Sequence, residues 1–202
     1  METISASAPA VSIFTDLASG RLRGDSVVTA KKTVGDLAGY WHDAEALAGM
    51  NPLTPLYTTE TWYPLEDGTE GAVLWGNTTL YSGRIGHEYF MTRGHRHIKR
   101  THGELVVCVN GRGALLLMNE ERETRMEEMS PGSTHYIQGH NAHRTVNTGH
   151  EPLVFLCAWP ADCGHEYENV RQHGFSRLLL EVSGQPRLMQ SDELTRTNKD
   201  LN

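Results

Sequence analysis

The stretch GHRHIKRTHGELVVCVNG, residues 94–111, sets two histidines two positions apart and a glutamate seven positions after the second one. Residues two apart on an extended strand share a face, so the side chains of His95 and His97 are predicted to point toward one place. Gly103 permits a turn or bulge, after which the carboxylate of Glu104 returns toward that place from the neighbouring strand. The stretch therefore predicts β-structure built around a group of metal-binding side chains.

A fourth ligand is predicted in the second half of the chain. The segment PGSTHYIQGHNAHRTVN, residues 131–147, is predicted to form a turn, a strand and a glycine-bearing hairpin before a strand that starts near His143. Three imidazoles and one carboxylate make an N₃O set with room for substrate or water, which suits iron(II), manganese(II), nickel(II) or zinc(II). The alternative is a polar, solvated segment that binds nothing, because ten of the eleven histidines lie between positions 87 and 173 and an HxH pair arises easily there.

Short runs rich in β-branched, aromatic and aliphatic residues flank these two segments, such as AVLWGNTTLYS at 72–82 and PLVFLCAW at 152–159. Turn-forming residues separate the runs, as in NGRG at 110–113. Many short strands at this spacing predict an all-β sandwich or barrel. Ahead of them, the pattern from Thr33 to Met50 is weakly helical, and Asp43 is predicted to cap a short helix.

Composition limits the classes of partner. The chain has 202 residues, 21% charged and 38% hydrophobic, which is typical of one globular domain. A net charge of −7 argues against general attraction to nucleic acid or to an anionic membrane surface. We therefore expect neither a nucleic-acid partner nor a membrane partner, and any anionic ligand needs cations placed locally.

Three cysteines, at positions 108, 157 and 163, lack zinc-pair spacing and are odd in number, which favours reduced thiols and a cytoplasmic protein. The first residues carry no signal-peptide pattern, and no apolar run is long enough to span a membrane. We expect three regions. Residues 1–30 form an N-terminal segment that is partly disordered or extended on the surface, residues 31–189 form a single domain, and residues 190–202 form a C-terminal tail.

The spacing of the ligand segments resembles the two cupin motifs. HxH is followed by six residues and Glu104, then by six more and Gly111, and the second segment has its glycine and His143 in the matching register. This chain departs from the general second motif at Gln138, where proline is usual, and at His140, where glycine is usual. The resemblance implies a cupin double-stranded β-helix, a jelly-roll barrel, preceded by a short N-terminal helical segment.

Longer strings resemble one branch of the cupins, the phosphoglucose isomerases of archaea and some bacteria. They are NTTLYSGRIGHEYFMTRGHRH at 77–97, AHRTVNTGHEPLVFLCAWPADCGHEY at 142–167 and GFSRLLLE at 174–181. The likeness runs from about Lys31 to Glu181. It implies a homodimer and one divalent metal ion per subunit, for which iron(II) is the expected metal and manganese(II), zinc(II) and nickel(II) are alternatives. The metal ligands implied are His95, His97, Glu104 and His143.

The same resemblance implies a set of substrate-binding residues: Thr78, Thr92, Gly94, Tyr167, Tyr57 and Arg93. TRG at 92–94 offers a hydroxyl, backbone N–H groups and a cation, which are the groups that a phosphate dianion needs. Without the resemblance, the two threonines would be ordinary strand residues and Tyr167 a packing tyrosine. His102, His140 and His165 are expected near the mouth of the barrel in solvated roles.

The implied activity is reversible interconversion of glucose 6-phosphate and fructose 6-phosphate. The metal would polarise the sugar oxygens, and Glu104 is the natural catalytic base, although a bound dication lowers carboxylate basicity. The sequence leaves open whether a proton moves through an enediol or a hydride shifts. Two other functions stay open at this point: a non-catalytic cupin that binds a sugar phosphate, and a mononuclear iron cupin oxygenase.

Overall fold

The computed structural model describes residues 12–190, and β-strands are the main secondary structure of that range. The strands are β1 (Phe14–Thr15), β2 (Leu22–Arg23), β3 (Val27–Thr33), β4 (Pro55–Trp62), β5 (Val73–Leu80), β6 (Arg84–Ile85), β7 (Glu88–Tyr89), β8 (Arg96–His97), β9 (Glu104–Asn110), β10 (Gly113–Met118), β11 (Thr124–Met129), β12 (Thr134–Ile137), β13 (Ala142–Asn147), β14 (Leu153–Pro160), β15 (His165–Glu166), β16 (Arg177–Val182) and β17 (Gln185–Gln190). The helices are a 3₁₀ helix (Gly35–Tyr40), α1 (Ala44–Ala48) and α2 (Glu168–His173).

Two antiparallel sheets face each other across the centre of the protein. One has six strands in the order β12-β9-β14-β5-β4-β3, and the other has three in the order β11-β10-β13. Thr78 and Phe155 from the first sheet line the same cavity as Leu115 and His143 from the second. The prediction of an all-β cupin fold is therefore confirmed, with the barrel interior as the place where side chains of both sheets meet.

Three further sheets accompany the two main ones. One has four strands in the order β17-β16-β7-β6, one pairs β1 with β2, and one pairs β15 with β8. In the β15-β8 pair His165 stands opposite His97 in register. The short β8 strand thus carries a histidine to the barrel interior without belonging to either main sheet.

The helical segment before the barrel has the cap that the sequence predicts. The side chain of Asp43 accepts a hydrogen bond of 2.8 Å from the backbone N–H of Ala46, so the prediction is confirmed. Leu37, from the preceding 3₁₀ helix, is fully buried and belongs to the main hydrophobic cluster together with Trp41. The segment is therefore attached to the barrel by apolar packing.

Among the strands of six or more residues, β3, β11 and β17 were not anticipated from the sequence. The domain boundaries at 31 and 189 stay a prediction, and β3, which starts at Val27, runs across the first of them. Our expectations for residues 1–11 and 191–202 concern positions outside the described range. Neither α1 nor α2 is long and apolar enough to cross a bilayer, and the described range contains no other helix that is.

Candidate active site

Four predicted ligands converge inside the barrel from separate parts of the chain. The backbones of His95 and His143 are joined by two hydrogen bonds, from the N–H of His95 to the carbonyl of His143 at 3.1 Å and in reverse at 2.8 Å. His97 is the last residue of β8, and Glu104 is the first residue of β9. The Oε2 atom of Glu104 lies 3.4 Å from Nε2 of His97 and 3.5 Å from Nε2 of His143.

Backbone carbonyls orient two of the imidazoles. Nδ1 of His97 lies 2.6 Å from the carbonyl oxygen of His102, and Nδ1 of His143 lies 3.3 Å from that of Asn141. A ring whose Nδ1–H donates to a carbonyl presents the lone pair of Nε2 to its other side. The Nε2 atoms of His95, His97 and His143 are all buried and have no hydrogen-bond partner among the described residues.

These residues fit a divalent metal ion. One donor atom from each of the four side chains lies within 4.8 Å of all the others. Burial opposes ionisation of Glu104, but its contacts with His143 and His97 outweigh that effect and hold the pKa of the carboxyl well below its usual range. Burial, followed by the neighbouring His143, lowers the pKa of His95 well below the usual value. An ionised carboxylate and unpartnered imidazole nitrogens are the groups that bind such a cation.

A cavity of about 420 Å³ opens beside these ligands. It is lined by all six residues that were predicted to bind substrate: Tyr57, Thr78, Thr92, Arg93, Gly94 and Tyr167. His95, Glu104 and His143 line the same cavity. The structure therefore places three of the four predicted metal ligands and all six predicted substrate residues around one space.

The segment from Thr92 to Gly94 presents several hydrogen-bond donors. Oγ1 of Thr92 accepts the backbone N–H of Thr145 at 3.0 Å, which leaves the hydroxyl proton of Thr92 available. The backbone N–H of Gly94 has no hydrogen-bond partner among residues 12–190, whereas that of Arg93 contacts the phenol oxygen of Tyr57. A free backbone N–H beside a free hydroxyl proton offers two donors to an anion.

Gly94 is required by its position. Its φ of +77° lies in the left-handed region that side chains disfavour. A Cβ atom there would lie 3.1 Å from the side chain of Arg144 and from the carbonyl of His143. Any other residue would push the anion-binding segment away from the strand that carries the histidine.

Two tyrosines, Tyr167 and Tyr57, lie close to the guanidinium of Arg93. The guanidinium carbon of Arg93 lies 3.5 Å from the ring centre of Tyr167, and the Nε atom of Arg93 is buried without a partner in the described part of the chain. Burial raises the pKa of Tyr57 to about 12, although the charge of Arg93 opposes the shift. Tyr57 therefore stays a neutral hydrogen-bond donor, and Arg93 has donor capacity left for an anion.

Comparison with known proteins places this site in a family. The model of the family described as glucose-6-phosphate isomerase matches residues 31–196. The chain belongs to the glucose-6-phosphate isomerase family. The glucose-6-phosphate isomerase of Pyrococcus horikoshii is 36% identical over 177 residues, covering 86% of this chain and 91% of that protein. The one from Thermococcus litoralis is 38% identical over 161 residues, covering 78% of this chain and 85% of that protein.

The predicted aldose–ketose isomerase is confirmed by these relatives, which carry the name of the isomerase rather than that of a binding protein or an oxygenase. Among solved structures, oxalate decarboxylase from Bacillus subtilis resembles the chain with a TM-score of 0.42 at 19% identity, over 54% of this chain and 26% of that one.

Arg144 is a residue of the isomerase site that the sequence did not single out. Its side chain is buried, donates from Nη2 to the carbonyl oxygen of Arg93 at 2.9 Å, and forms no ion pair with any carboxylate of the described residues. Burial lowers the pKa of Arg144 to about 10, which leaves it charged, and Glu88 opposes the shift. In a trans peptide the C=O and the following N–H point in opposite directions. Because the carbonyl of Arg93 points toward Arg144, the N–H of Gly94 points away from Arg144. Its position directly after His143 in the string HRTVN is the sequence feature that could have pointed to it.

The three other histidines differ in position. The carbonyl of His102 supports His97, while its ring lies 3.3 Å from Oδ2 of Asp162. His140 is exposed, as expected. His165 was expected in a solvated role, but its ring centre lies 4.5 Å from that of His95 and it lines the cavity, because β15 pairs with β8.

Proposed function

We propose that this isomerase interconverts glucose 6-phosphate and fructose 6-phosphate with one divalent metal ion per subunit. The ligands are the three histidines 95, 97 and 143 and the carboxylate of Glu104. The observation that supports the proposal is the set of three buried Nε2 atoms without partners, which converge with one carboxylate beside an anion-binding segment. Iron(II) is the expected metal, and manganese(II), zinc(II) and nickel(II) have ligand preferences that the N₃O set also satisfies.

The phosphate group is held by the segment from Thr92 to Gly94. The hydroxyl proton of Thr92 and the free N–H of Gly94 donate to its oxygens, and the guanidinium of Arg93 supplies the countercharge. Tyr57 and Thr78 add hydroxyl donors from neighbouring strands of the six-stranded sheet. With the phosphate at this position, the sugar extends across the cavity toward the four ligands.

Isomerisation moves hydrogen between C2 and C1 while the carbonyl changes place. A bound divalent cation would supply Lewis-acid polarisation of the sugar oxygens O1 and O2. Oε2 of Glu104 faces two imidazoles, so Oε1 is the atom that takes a proton from C2 and returns it to C1. Tyr167 and Arg93 stack at the cavity wall and restrict the orientations that the sugar adopts.

The test compares Glu104→Gln with a control substitution at another polar position, His140→Ala, outside the cavity. After removal and restoration of metal, we expect Glu104→Gln to lose bound metal and turnover of fructose 6-phosphate in a coupled assay. His140→Ala should keep both, and a chelator should abolish the activity of the unmodified protein. An isomerase that is fully active without metal, or a Glu104→Gln protein with unchanged metal content, would refute the proposed ligand set.

The hydrogen-transfer route is tested separately. If Oε1 of Glu104 exchanges its proton with solvent, turnover in deuterated water places deuterium on the carbon that gains hydrogen, which NMR of the product detects. A product free of deuterium after complete turnover contradicts an exchanging base and supports a direct hydride shift. Metal analysis of the protein as isolated identifies the native ion.

The proposal also includes a homodimer in the cytoplasm. β3 lies at one edge of the six-stranded sheet, and Val28 on it is 56% exposed. An edge strand offers unpaired backbone groups to a second copy, and a lysine on it discourages such pairing. Because Lys31 and Lys32 occupy the second half of β3, the first half around Val28 is the part proposed to pair. Val28→Lys is expected to shift the mass measured by light scattering from dimer to monomer. Val73→Lys is the matched control, because Val73 is 57% exposed on the interior strand β5. A monomeric unmodified protein would contradict the proposed homodimer.

The three buried free cysteines fit a reducing compartment such as the cytoplasm.

A further inference from the structure

Two donor groups outside the proposed ligand set lie next to His97: the thiol of Cys163 and the imidazole of His165. The Sγ atom of Cys163 lies 4.0 Å from Nε2 of His165. One donor atom from each of these three residues lies within 4.8 Å of the other two. Cys163 and His97 are fully buried, so these donors are shielded from bulk water.

The backbone holds this group in place. His165 pairs in register with His97 across β15 and β8. The turn that carries Cys163 is tied to the same segment, because the N–H of Lys99 donates to the carbonyl of Cys163 at 2.9 Å. The three side chains therefore start from fixed, neighbouring positions.

Apart from the contact between Cys163 and His165, their donor atoms lack hydrogen-bond partners in the described part of the chain. Nε2 of His97 is buried without a hydrogen bond in the described part of the chain. The ring of His165 makes no hydrogen-bonding contact with the described residues except the one with Cys163. We propose that His97, Cys163 and His165 form a second metal site, which takes a thiophilic divalent cation such as zinc.

The chemistry of the two donor sets separates the cations that they take. An N₂S set with a thiolate favours softer cations than an N₃O set with a carboxylate does. On binding, the S–H bond of Cys163 breaks, the proton leaves to solvent and a sulfur–metal bond forms. His165 lines both the substrate cavity and a neighbouring cavity of about 450 Å³ that Asp67 and Asp162 also line, which provides an entry path.

The two sites exclude each other because they share His97. Its Nδ1 is occupied by the carbonyl of His102, so only Nε2 is available to a cation. A zinc ion held by Cys163 and His165 removes one imidazole from the set around Glu104 and inhibits the isomerase. The inhibition rests on the proposed function, whereas the existence of the second site does not.

The test uses cobalt(II) as a spectroscopic substitute for zinc, added to the metal-free full-length protein. Thiolate ligation gives a sulfur-to-cobalt charge-transfer absorption in the near ultraviolet, which ligation by nitrogen and oxygen alone does not. We expect this absorption in the unmodified protein, and zinc should displace it. It should be lost in Cys163→Ala and Cys163→Ser but retained in Cys108→Ala and Cys157→Ala. Cys157 is the more demanding control, since it lines the substrate cavity.

Activity measurements separate this proposal from the proposed function. Glu104→Gln should lose turnover and keep the charge-transfer absorption, whereas Cys163→Ser should keep turnover with manganese and tolerate more zinc before inhibition. Absence of the absorption in the unmodified protein overturns the second site, as does its survival in either Cys163 variant or its loss in Cys157→Ala. If neither Cys163 variant folds, His165→Gln replaces them and must weaken cobalt binding at the absorbing site.

Discussion

Glu88 offers a quantitative test of the electrostatics beneath the anion-binding segment. Its side chain is 3% exposed. One carboxylate oxygen accepts the backbone N–H of His42 at 3.1 Å, and the other has no partner among the described residues. Burial raises the pKa of Glu88 from 4.5 to about 7, although the hydrogen bond from His42 opposes the shift. The folded protein therefore binds this proton more tightly than the unfolded chain does.

The sign of the stability effect follows from linkage. Between pH 4.5 and 7 the folded state holds more protons at Glu88 than the unfolded state, so the free energy of unfolding falls as the pH rises through this window. At 1.36 kcal/mol for each tenfold change in the proton equilibrium, the unfolding free energy lost at Glu88, relative to acid where both states are protonated, is about 1 kcal/mol at pH 5 and about 3 kcal/mol at pH 8. Glu88→Gln has no ionisable group and avoids this cost.

The assay is urea-induced unfolding of the unmodified protein and of Glu88→Gln at pH 5 and pH 8. The unfolding free energy of Glu88→Gln minus that of the unmodified protein should rise by about 2 kcal/mol from pH 5 to pH 8. Glu128→Gln, on the exposed face of β11, is the control and should show no such change. A Glu88→Gln protein that is less stable by the same amount at both values would refute the reasoning. It would mean that Glu88 is ionised throughout and stabilised by Arg144.

Two further predictions concern the anion-binding segment. Gly94→Ala should raise KM for fructose 6-phosphate by about tenfold or more, the effect of losing one hydrogen bond to a charged group, with a smaller change in kcat; an unchanged KM would mean that the segment does not bind the phosphate. Arg144→Lys should raise KM and weaken inhibition by inorganic phosphate by similar factors, because lysine cannot reproduce the planar fork that holds the carbonyl of Arg93. A lower kcat with an unchanged KM would contradict this role for Arg144.

Much of the fold was predictable because most strands carry β-branched or apolar runs. β10, GALLLM, is buried at every position and was visible as a continuous apolar run. β11, TRMEEM, was missed because its charged side chains point outward and only its ends are buried. β3, VVTAKKT, was missed for a related reason, since an edge strand with little burial has no apolar alternation to detect.

The four proposed metal ligands, which the structure brings together, stood out in the sequence because their patterns are local: an HxH pair, a glutamate after a glycine, and a histidine at a strand start. Arg144 and His165 gain their positions from pairing between distant segments. Arg144 reaches the carbonyl of Arg93 only because β13 runs beside residues 90–95, and His165 meets His95 only because β15 pairs with β8. No periodicity within either segment carries that information.

The antiparallel contact between residues 90–95 and β13 links the two ends of the site. Thr92 hydrogen-bonds to Thr145 three residues before His95 bonds to His143, so the proposed phosphate end and the imidazole end share one short backbone ladder. If a bound anion already orders this ladder, less conformational entropy is lost when a cation binds. A bound cation strengthens anion binding by the same factor. Under the proposed function, sugar phosphate and cation are mutual effectors, and the affinity measured for either one is a property of the pair.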